Sequence, residues 1–189
     1  QTIINLSSMS VYGTISVAEV TEDLLPDSPD VYGQSKIEAE RMLDELCRNR
    51  AIQSGLSIRL PGTVGRGSHH NFLSDVMERI VAGQPVELRN PDTLFNNIVF
   101  VGDLAQFMDQ WLRHPKTGHS VTNLAAEAPW PIGEVVNAMY SHAGRTPHIS
   151  IKTGGKKPFL ISLDHARSLG YAPSTVQASV EAFVNDYIG

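Results

Sequence analysis

The chain opens on an apolar run, Thr2-Ile3-Ile4-Asn5-Leu6, closed by the small polar cluster Ser7-Ser8-Met9-Ser10. That pattern predicts a buried β-strand over Thr2 to Ser7. No cap or turn precedes it, which leads to the expectation that an upstream part has been removed. An irregular stretch from Tyr12 to Asp30 follows, carrying Gly13, Pro26 and Pro29. Connections of this length inside compact domains are usually functional or disordered. From Val31 to Arg50 the positions Ile37, Met42, Leu43 and Leu46 recur at helical spacing, with Ser28-Pro29-Asp30 as the start signal. Gly55 reads as a separator before a second strand, Leu56 to Leu60. Strand, helix, strand is the grammar of a parallel sheet.

Beyond Pro61 the pattern predicts a glycine-rich turn, a helix from Asn71 to Ala82, and a strand at Val86 to Leu88. Asn97 to Val101 reads as a strand leading into a helix from Asp103 to Leu112, and Ser120 to Leu124 as another strand. A helix from Ile132 to Ala143, a strand from His148 to Lys152 and a helix from Thr175 to Tyr187 complete the pattern. No repeat, linker or low-complexity segment interrupts it.

Composition narrows the partners. With 189 residues, 41% of them hydrophobic, one sizeable core is expected. The net charge is -5, from 15 Lys+Arg against 20 Asp+Glu, and no basic run stands out, so no nucleic-acid partner is expected. No stretch reaches the ~18 apolar residues of a membrane span. The single cysteine, Cys47, excludes an internal disulfide and points to a reducing compartment, the cytoplasm by default. Within Glu45-Leu46-Cys47-Arg48 it reads as a buried structural thiol, and Trp111 and Trp130 read as packing residues.

The candidate chemistry centres on Tyr32-Gly33-Gln34-Ser35-Lys36, a Tyr-x-x-x-Lys in the first turns of the long helix. Residues four apart share a helix face. A free phenol titrates near pH ~10, too high for proton transfer near neutrality, and an adjacent ammonium favours the phenolate. Such a pair suits general acid/base work. The spacing alone is weak evidence, since an ordinary surface pair is commoner. It gains weight from Ser7-Ser8-Met9-Ser10-Val11-Tyr12-Gly13, which places hydroxyls at a strand end, where function often sits in open α/β sheets.

Together these segments resemble the active-site core of the extended short-chain dehydrogenases/reductases of the NAD-dependent epimerase/dehydratase type, similar to UDP-glucose 4-epimerases. The resembling residues are Ser7-Ser8-x-x-Val11-Tyr12-Gly13, then Pro29-Asp30-Val31-Tyr32-Gly33-Gln34-Ser35-Lys36, with Glu22 matching an acidic residue of the intervening loop. Arg59-Leu60-Pro61-Gly62-Thr63-Val64-Gly65, Asn97 to Leu104, Asn123-Leu124-Ala125 and Leu169 to Pro173 extend the likeness to the end of the chain, over the family's later part only.

The resemblance implies an α/β fold: a partial Rossmann-like parallel sheet with helices over residues 1–62, and a smaller substrate-binding α/β region over 63–189 with elements returning to the main sheet. It implies catalytic roles for Ser8, Tyr32 and Lys36, and cofactor contacts from Ser7, Tyr32, Lys36, Pro61 and Gly62. Substrate contacts are implied for Ser8, Met9, Ser10 and Asn71. Met9 and Ser10 stand where 4,6-dehydratases carry an acid pair, which favours epimerase or ketone/alcohol chemistry over elimination. Asn96 stands where epimerases often place an arginine against the diphosphate, and Phe100 replaces a frequent histidine, so Arg66 or Arg89 is expected to supply that charge.

The implied activity is that of an NAD-dependent (or NADP-dependent) nucleotide-sugar epimerase, with hydride moving transiently to the cofactor. The family's glycine-rich cofactor turn has no counterpart before Thr2, so the chain alone is expected neither to hold NAD firmly nor to turn over. The alternative is a non-enzymatic nucleotide-sugar-binding or subunit-interaction module. A homo-oligomer is expected, because the flank of the first strand is left open and the helix from Val31 often packs at a dimer interface in this family. Three decoys are set aside. Gly62-Thr63-Val64-Gly65-Arg66-Gly67 does not open a helix directly. His69-His70 lacks further ligands at metal-binding spacing. Gly154-Gly155-Lys156-Lys157 reads as a flexible basic turn.

Overall fold

In the computed structural model, which describes residues 1–155 and 157–189, the opening apolar run forms β1 (Thr2–Ser8) and passes into a 3-10 turn at Met9–Tyr12. The long connection carries a short strand, β2 (Glu19–Val20), before helix α1 (Val31–Arg48). α1 begins where its start signals lie, because Asp30 Oδ1 accepts the Gly33 N–H at 2.7 Å. It ends two residues short of Arg50, which turns the chain with φ 57°.

β3 (Ser54–Leu60) corrects one expectation. Gly55 lies inside the strand rather than before it. A Cβ there would sit 2.9 Å from Leu43 Cγ and 3.0 Å from Cys47 Sγ, so the glycine lets α1 lie close on the sheet. The glycine-rich stretch after Pro61 is likewise part strand, β4 (Gly62–Val64), and turns only from Gly65 onward. Then come α2 (Phe72–Val81), β5 (Val86–Arg89), β6 (Leu94–Phe95), β7 (Ile98–Phe100), α3 (Val101–Arg113) and β8 (Gly118–Asn123). β9 (Trp130–Pro131), α4 (Ile132–His142), β10 (Ile149–Lys152), β11 (Leu160–Ile161), α5 (Asp164–Ser168) and α6 (Val176–Ile188) finish the chain. The periodicity does not resolve β2, β4, β6, β9, β11 or α5. Each has only two to five residues, too few to repeat a pattern.

Three strands make a parallel sheet in the order β1-β3-β8, with Ser8 opposite Leu60 and Arg59 opposite Asn123. Smaller two-stranded pairs surround it: β4 with β7, β5 with β10 and β2 with β11 in parallel, and β6 with β9 antiparallel. One buried cluster packs Leu56 and Ile58 of the sheet against Val99, Phe107, Trp111 and Tyr171. A second joins Leu73, Met77, Ile98, Val136, Met139 and Phe183, with Trp130 half-buried against it. Cys47 is buried, and burial pushes its thiol pKa up, in keeping with an inert structural role. No helix is long and apolar enough to cross a membrane among the described residues.

What fixes α1 on the sheet is polar. Glu40, on its inner face, accepts Ser7 Oγ at 2.5 Å and Arg59 Nε at 3.1 Å on Oε1, and Arg59 Nη2 at 2.8 Å on Oε2. The side chains are 8% and 14% exposed, so the pair is nearly dry. Arg59 Nη1 donates to Tyr12 Oη at 2.8 Å and to the Glu22 carbonyl at 3.3 Å. Tyr12 Oη in turn lies 2.8 Å from Asn123 Oδ1 and 3.0 Å from the Thr21 carbonyl. Glu22 Oε1 accepts the Asn123 N–H at 2.7 Å, which ties the long connection to β8. Burial works against the Arg59 charge, but the Glu40 carboxylate and Tyr12 outweigh it and the guanidinium pKa is raised. Burial also raises the Tyr12 pKa, against the lowering effect of Arg59, so the phenol stays neutral.

A second polar row lies under the same helix. Asn5 Nδ2 donates to Ser57 Oγ at 3.2 Å, and Ser57 Oγ bonds His119 Nε2 at 2.9 Å. His119 Nδ1 stands 3.7 Å from Asp44 Oδ1 on α1, with the imidazole 6% exposed. Burial lowers the His119 pKa below 6.5, and the Asp44 and Glu40 carboxylates only partly oppose it. The unfolded chain therefore binds this proton more readily than the folded one. The resulting stability is present above about pH 6.5 and is lost as pH falls through that value toward the folded pKa.

Two outcomes follow. Glu40→Leu strands the Arg59 charge in the interior and is expected to cost about 3–5 kcal/mol in urea unfolding, most of it recovered in Glu40→Leu/Arg59→Met. His119→Gln is expected to flatten the fall in urea midpoint between about pH 7 and pH 5 relative to the wild type. An unchanged slope would remove the assignment to this histidine.

Candidate active site

Ser8 ends β1 and caps the 3-10 turn: its Oγ accepts the Ser10 N–H at 3.1 Å and lies 3.2 Å from Ser10 Oγ. The turn then meets the start of α1 at very short range. A Cβ on Gly33 would fall 2.2 Å from the Ser10 carbonyl oxygen, so only glycine allows the helix to start there. Gly13 takes φ 63° at the other end of the turn, in the left-handed region that a side chain would strain. Both Tyr-Gly pairs of the sequence thus mark points where backbones touch.

Tyr32 and Lys36 occupy the first turns of α1. Lys36 Nζ stands 5.4 Å from the Tyr32 ring centroid and donates to the Leu6 carbonyl at 2.9 Å, two residues before Ser8. The ammonium therefore bridges the phenol and the outer edge of β1. Tyr32 is 52% exposed and does not line the cavity beside Ser8.

That cavity, of about 410 Å³, has Ser8, Met9, Ser10, Pro61, Gly62 and Asn71 in its wall. Asn97 also lines it, and Asn97 Oδ1 is a buried acceptor with no hydrogen-bond partner. Through shared walls at Phe72, Phe95 and Asn97 it adjoins a second cavity of about 440 Å³, where Ile132, Pro158 and Phe159 face Arg89 and Lys157. Arg89 Nη1 donates to the Thr153 carbonyl at 3.2 Å, which leans the guanidinium on the Gly154-Gly155 turn. A third cavity, about 400 Å³, holds Arg66 and His69 and shares Pro61, Gly62, His70 and Asn71 with the first.

The fold therefore gathers Ser8, Met9, Ser10, Pro61, Gly62 and Asn71 around one space and sets Arg66 and Arg89 in spaces adjoining it. Ser7 stands apart. It is buried, and its hydroxyl donates to Glu40 behind the strand. Asn71 is committed to structure at both ends, Oδ1 accepting the Ser74 N–H at 3.0 Å and Nδ2 donating to the Thr63 carbonyl at 3.2 Å.

Asn96 explains its own departure from the arginine of the resembling sequences. It is 3% exposed and pairs with the backbone of Ile161, Nδ2 donating to the carbonyl at 2.9 Å and Oδ1 accepting the N–H at 3.0 Å. Of the basic turn, Lys156 lies outside the described residues, and Lys157 lines the cavity of Arg89. Four residues separate Gly67 from α2, so the glycine run does not feed a helix directly. No group of three or more His, Cys, Asp or Glu side chains could hold a metal ion among the described residues.

Sequence reasoning passed over Glu40. The signal was present: Tyr32, Lys36 and Glu40 follow one another at four-residue intervals, so a carboxylate continues the stripe of phenol and amine toward the sheet. Tyr12, Arg59 and Asn123 stand out in the sequence as matching residues, but that they meet through one buried hydrogen-bonded chain is a tertiary fact.

Known proteins match this arrangement. The profile of the NAD dependent epimerase/dehydratase family matches residues 1–125. N-acetyl-alpha-D-glucosaminyl-diphospho-ditrans,octacis-undecaprenol 4-epimerase of Escherichia coli O157:H7 is 28% identical over 125 residues, 64% of this chain and 36% of that enzyme. RMD from Pseudomonas aeruginosa, solved with NADPH, superposes with a TM-score of 0.77 at 23% identity, over 98% of this chain and 66% of that one. UDP-glucuronic acid 4-epimerase from Bacillus cereus, solved with NAD, gives a TM-score of 0.80 at 18% identity, over 97% and 58% respectively. The chain thus spans less than two thirds of the length of these relatives. By the matched profile, the Rossmann-like parallel sheet and the two Tyr-Gly segments set at the strand and helix ends, the chain belongs to the NAD dependent epimerase/dehydratase family.

Proposed function

We propose that this chain carries the catalytic and substrate side of a nucleotide-sugar epimerase or oxidoreductase that uses NAD or NADP. The observation that carries the reading is Lys36 Nζ held 5.4 Å from the Tyr32 ring, at the strand end that presents Ser8. Tyr32 exchanges a proton with the reacting hydroxyl of the sugar, Lys36 holds a positive charge beside the phenol, and Ser8 hydrogen-bonds the same substrate oxygen. Met9 and Ser10 offer no acid pair for eliminating water.

The residues fit the reactive end of a nicotinamide cofactor. Pro61 and Gly62 line the space beside Ser8, and Asn97, whose Oδ1 is buried without a hydrogen-bond partner, lines it too. A nicotinamide held there would supply reversible hydride acceptance. Ser7 was assigned to it by resemblance, but its bond to Glu40 favours a supporting place. The described residues hold no glycine-rich turn that opens a helix directly, so the 189-residue chain by itself is proposed to bind NAD weakly and to show no turnover. Arg89 and Lys157 supply cations for the diphosphate, with Phe72, Phe95 and Phe159 beside them for an apolar or aromatic group. Arg66 is the alternative cation.

A second copy of the chain is proposed to pack on α1. Val31, Met42 and Leu46 project from one face of that helix at 83%, 64% and 40% exposure, an apolar stripe that a second copy would cover. The buried free thiol suits a cytoplasmic setting.

In the natural protein that carries this chain, Tyr32→Phe is expected to lower turnover of a nucleotide sugar by about 10²–10⁴-fold. Full activity in that variant overturns the reading. Calorimetry separates catalysis from mere binding: a binding module takes up nucleotide sugars with no turnover even with NAD and its complete protein. Arg89→Ala is expected to weaken that binding at least about tenfold. Undiminished binding in both Arg89→Ala and Arg66→Ala removes the phosphate assignment, and a monomeric mass by light scattering removes the second copy.

A further inference from the structure

We propose that Glu40 is a positioning residue of this active site: its grip on Ser7 and Arg59 sets the register of α1 along β1 and so fixes how far along the strand that ends in Ser8 the Tyr32 and Lys36 side chains stand. The inference rests on the proposed role of Tyr32 and adds a residue that acts through others.

Three polar or close contacts fasten this helix to the strand and to the turn that follows it. At the upper end, Gly33 meets the Ser10 carbonyl with no room for a Cβ. In the middle, Lys36 Nζ reaches the Leu6 carbonyl at 2.9 Å. At the lower end, one turn after Lys36, Glu40 takes Ser7 Oγ at 2.5 Å while Arg59 holds both of its oxygens. Ser7 is the chain neighbour of Ser8, and strand alternation sends its side chain toward the helix. The hydroxyl proposed to hold the substrate oxygen is therefore one peptide unit from the point where Glu40 clamps the strand.

Directionality is what makes the clamp informative. Toward its end α1 packs Leu43 and Cys47 against Ile3 of β1 and Ile52 of the connection to β3, and packing of this kind tolerates small slides. A two-point carboxylate–guanidinium bond does not, because its hydrogen bonds require fixed angles as well as distances. A slip of one residue would carry Tyr32 about 1.5 Å along the helix axis. Displacement on that scale is worth about a hundredfold in rate.

The test uses the natural protein that carries this chain. Ser7→Ala deletes one bond of the clamp and leaves the ion pair intact. It is expected to lower kcat about tenfold or more, with KM for the nucleotide sugar and Kd for NAD within about twofold of wild type. Ser7→Thr, which restores the hydroxyl, is expected to recover most of kcat. Glu40→Leu/Arg59→Met, folded by an apolar substitute for the pair, is expected to show the same kcat loss without a large loss of stability, and it keeps the test open if Ser7→Ala folds poorly.

Wild-type kcat in Ser7→Ala and in the double variant, measured well below their melting temperatures, overturns the proposal. A raised Kd for NAD in Ser7→Ala with kcat unchanged overturns it too, by placing Ser7 on the cofactor. Tyr32→Phe keeps the two readings apart. If that variant is inactive while the Ser7 and Glu40 variants are normal, only the positioning role fails; if it is fully active, the proposed function fails whatever Ser7 does.

Discussion

The buried bond between Glu40 and Arg59 is the constraint on which the rest of this structure depends. Each partner sits on a different element, and each carries a second duty: Glu40 takes the Ser7 hydroxyl on β1, and Arg59 reaches Tyr12 and the Glu22 carbonyl in the long connection. Removing two charges from water is expensive, and such pairs rarely add net stability over a well-packed apolar substitute. What this one adds is geometry. It joins α1, β1, β3 and the turn after Ser8 at one point and leaves them a single arrangement.

Close approach of backbones does the complementary work. Gly33 and Gly55 lie on opposite sides of the contact between α1 and the sheet, one under the Ser10 carbonyl and one under Leu43 and Cys47. A methyl group at either would push the helix outward. The polar clamp needs that short distance, since a glutamate side chain spans only a few ångströms from its helix. Small residues set how near the helix lies, and charged ones set how far along it stands.

Much of this was legible in the sequence because the decisive signals are local. The long helix with its start signal at Asp30, the first strand and α2 follow from periodicity and cap chemistry, whereas Asn71, read as a substrate contact, proves to cap α2. Gly55 was misplaced because a glycine needed for helix-on-sheet contact looks, in one dimension, like a turn. The short strands β2, β4, β6, β9 and β11 owe their existence to partners far along the chain, as in the pairing of β2 with β11. The site shows the same division. Ser8, Tyr32 and Lys36 announce themselves by motif, while Glu40 looks like any helix glutamate until the fold brings Arg59 and Ser7 to it. Asn96 shows the converse: its backbone pairing with Ile161 gives a structural account of a residue that, in sequence, is only a missing arginine.

The hydrogen bond from Lys36 to the Leu6 carbonyl gives one side chain two constituencies. Among the described residues β1 pairs with β3, and the Lys36 ammonium occupies a main-chain acceptor of the strand, a placement of the kind that discourages indiscriminate strand addition. The amine proposed to serve the phenol is thus also tied to the sheet. A substitution at Lys36 therefore removes a contact with the sheet together with the ammonium beside Tyr32, and its consequences carry both losses.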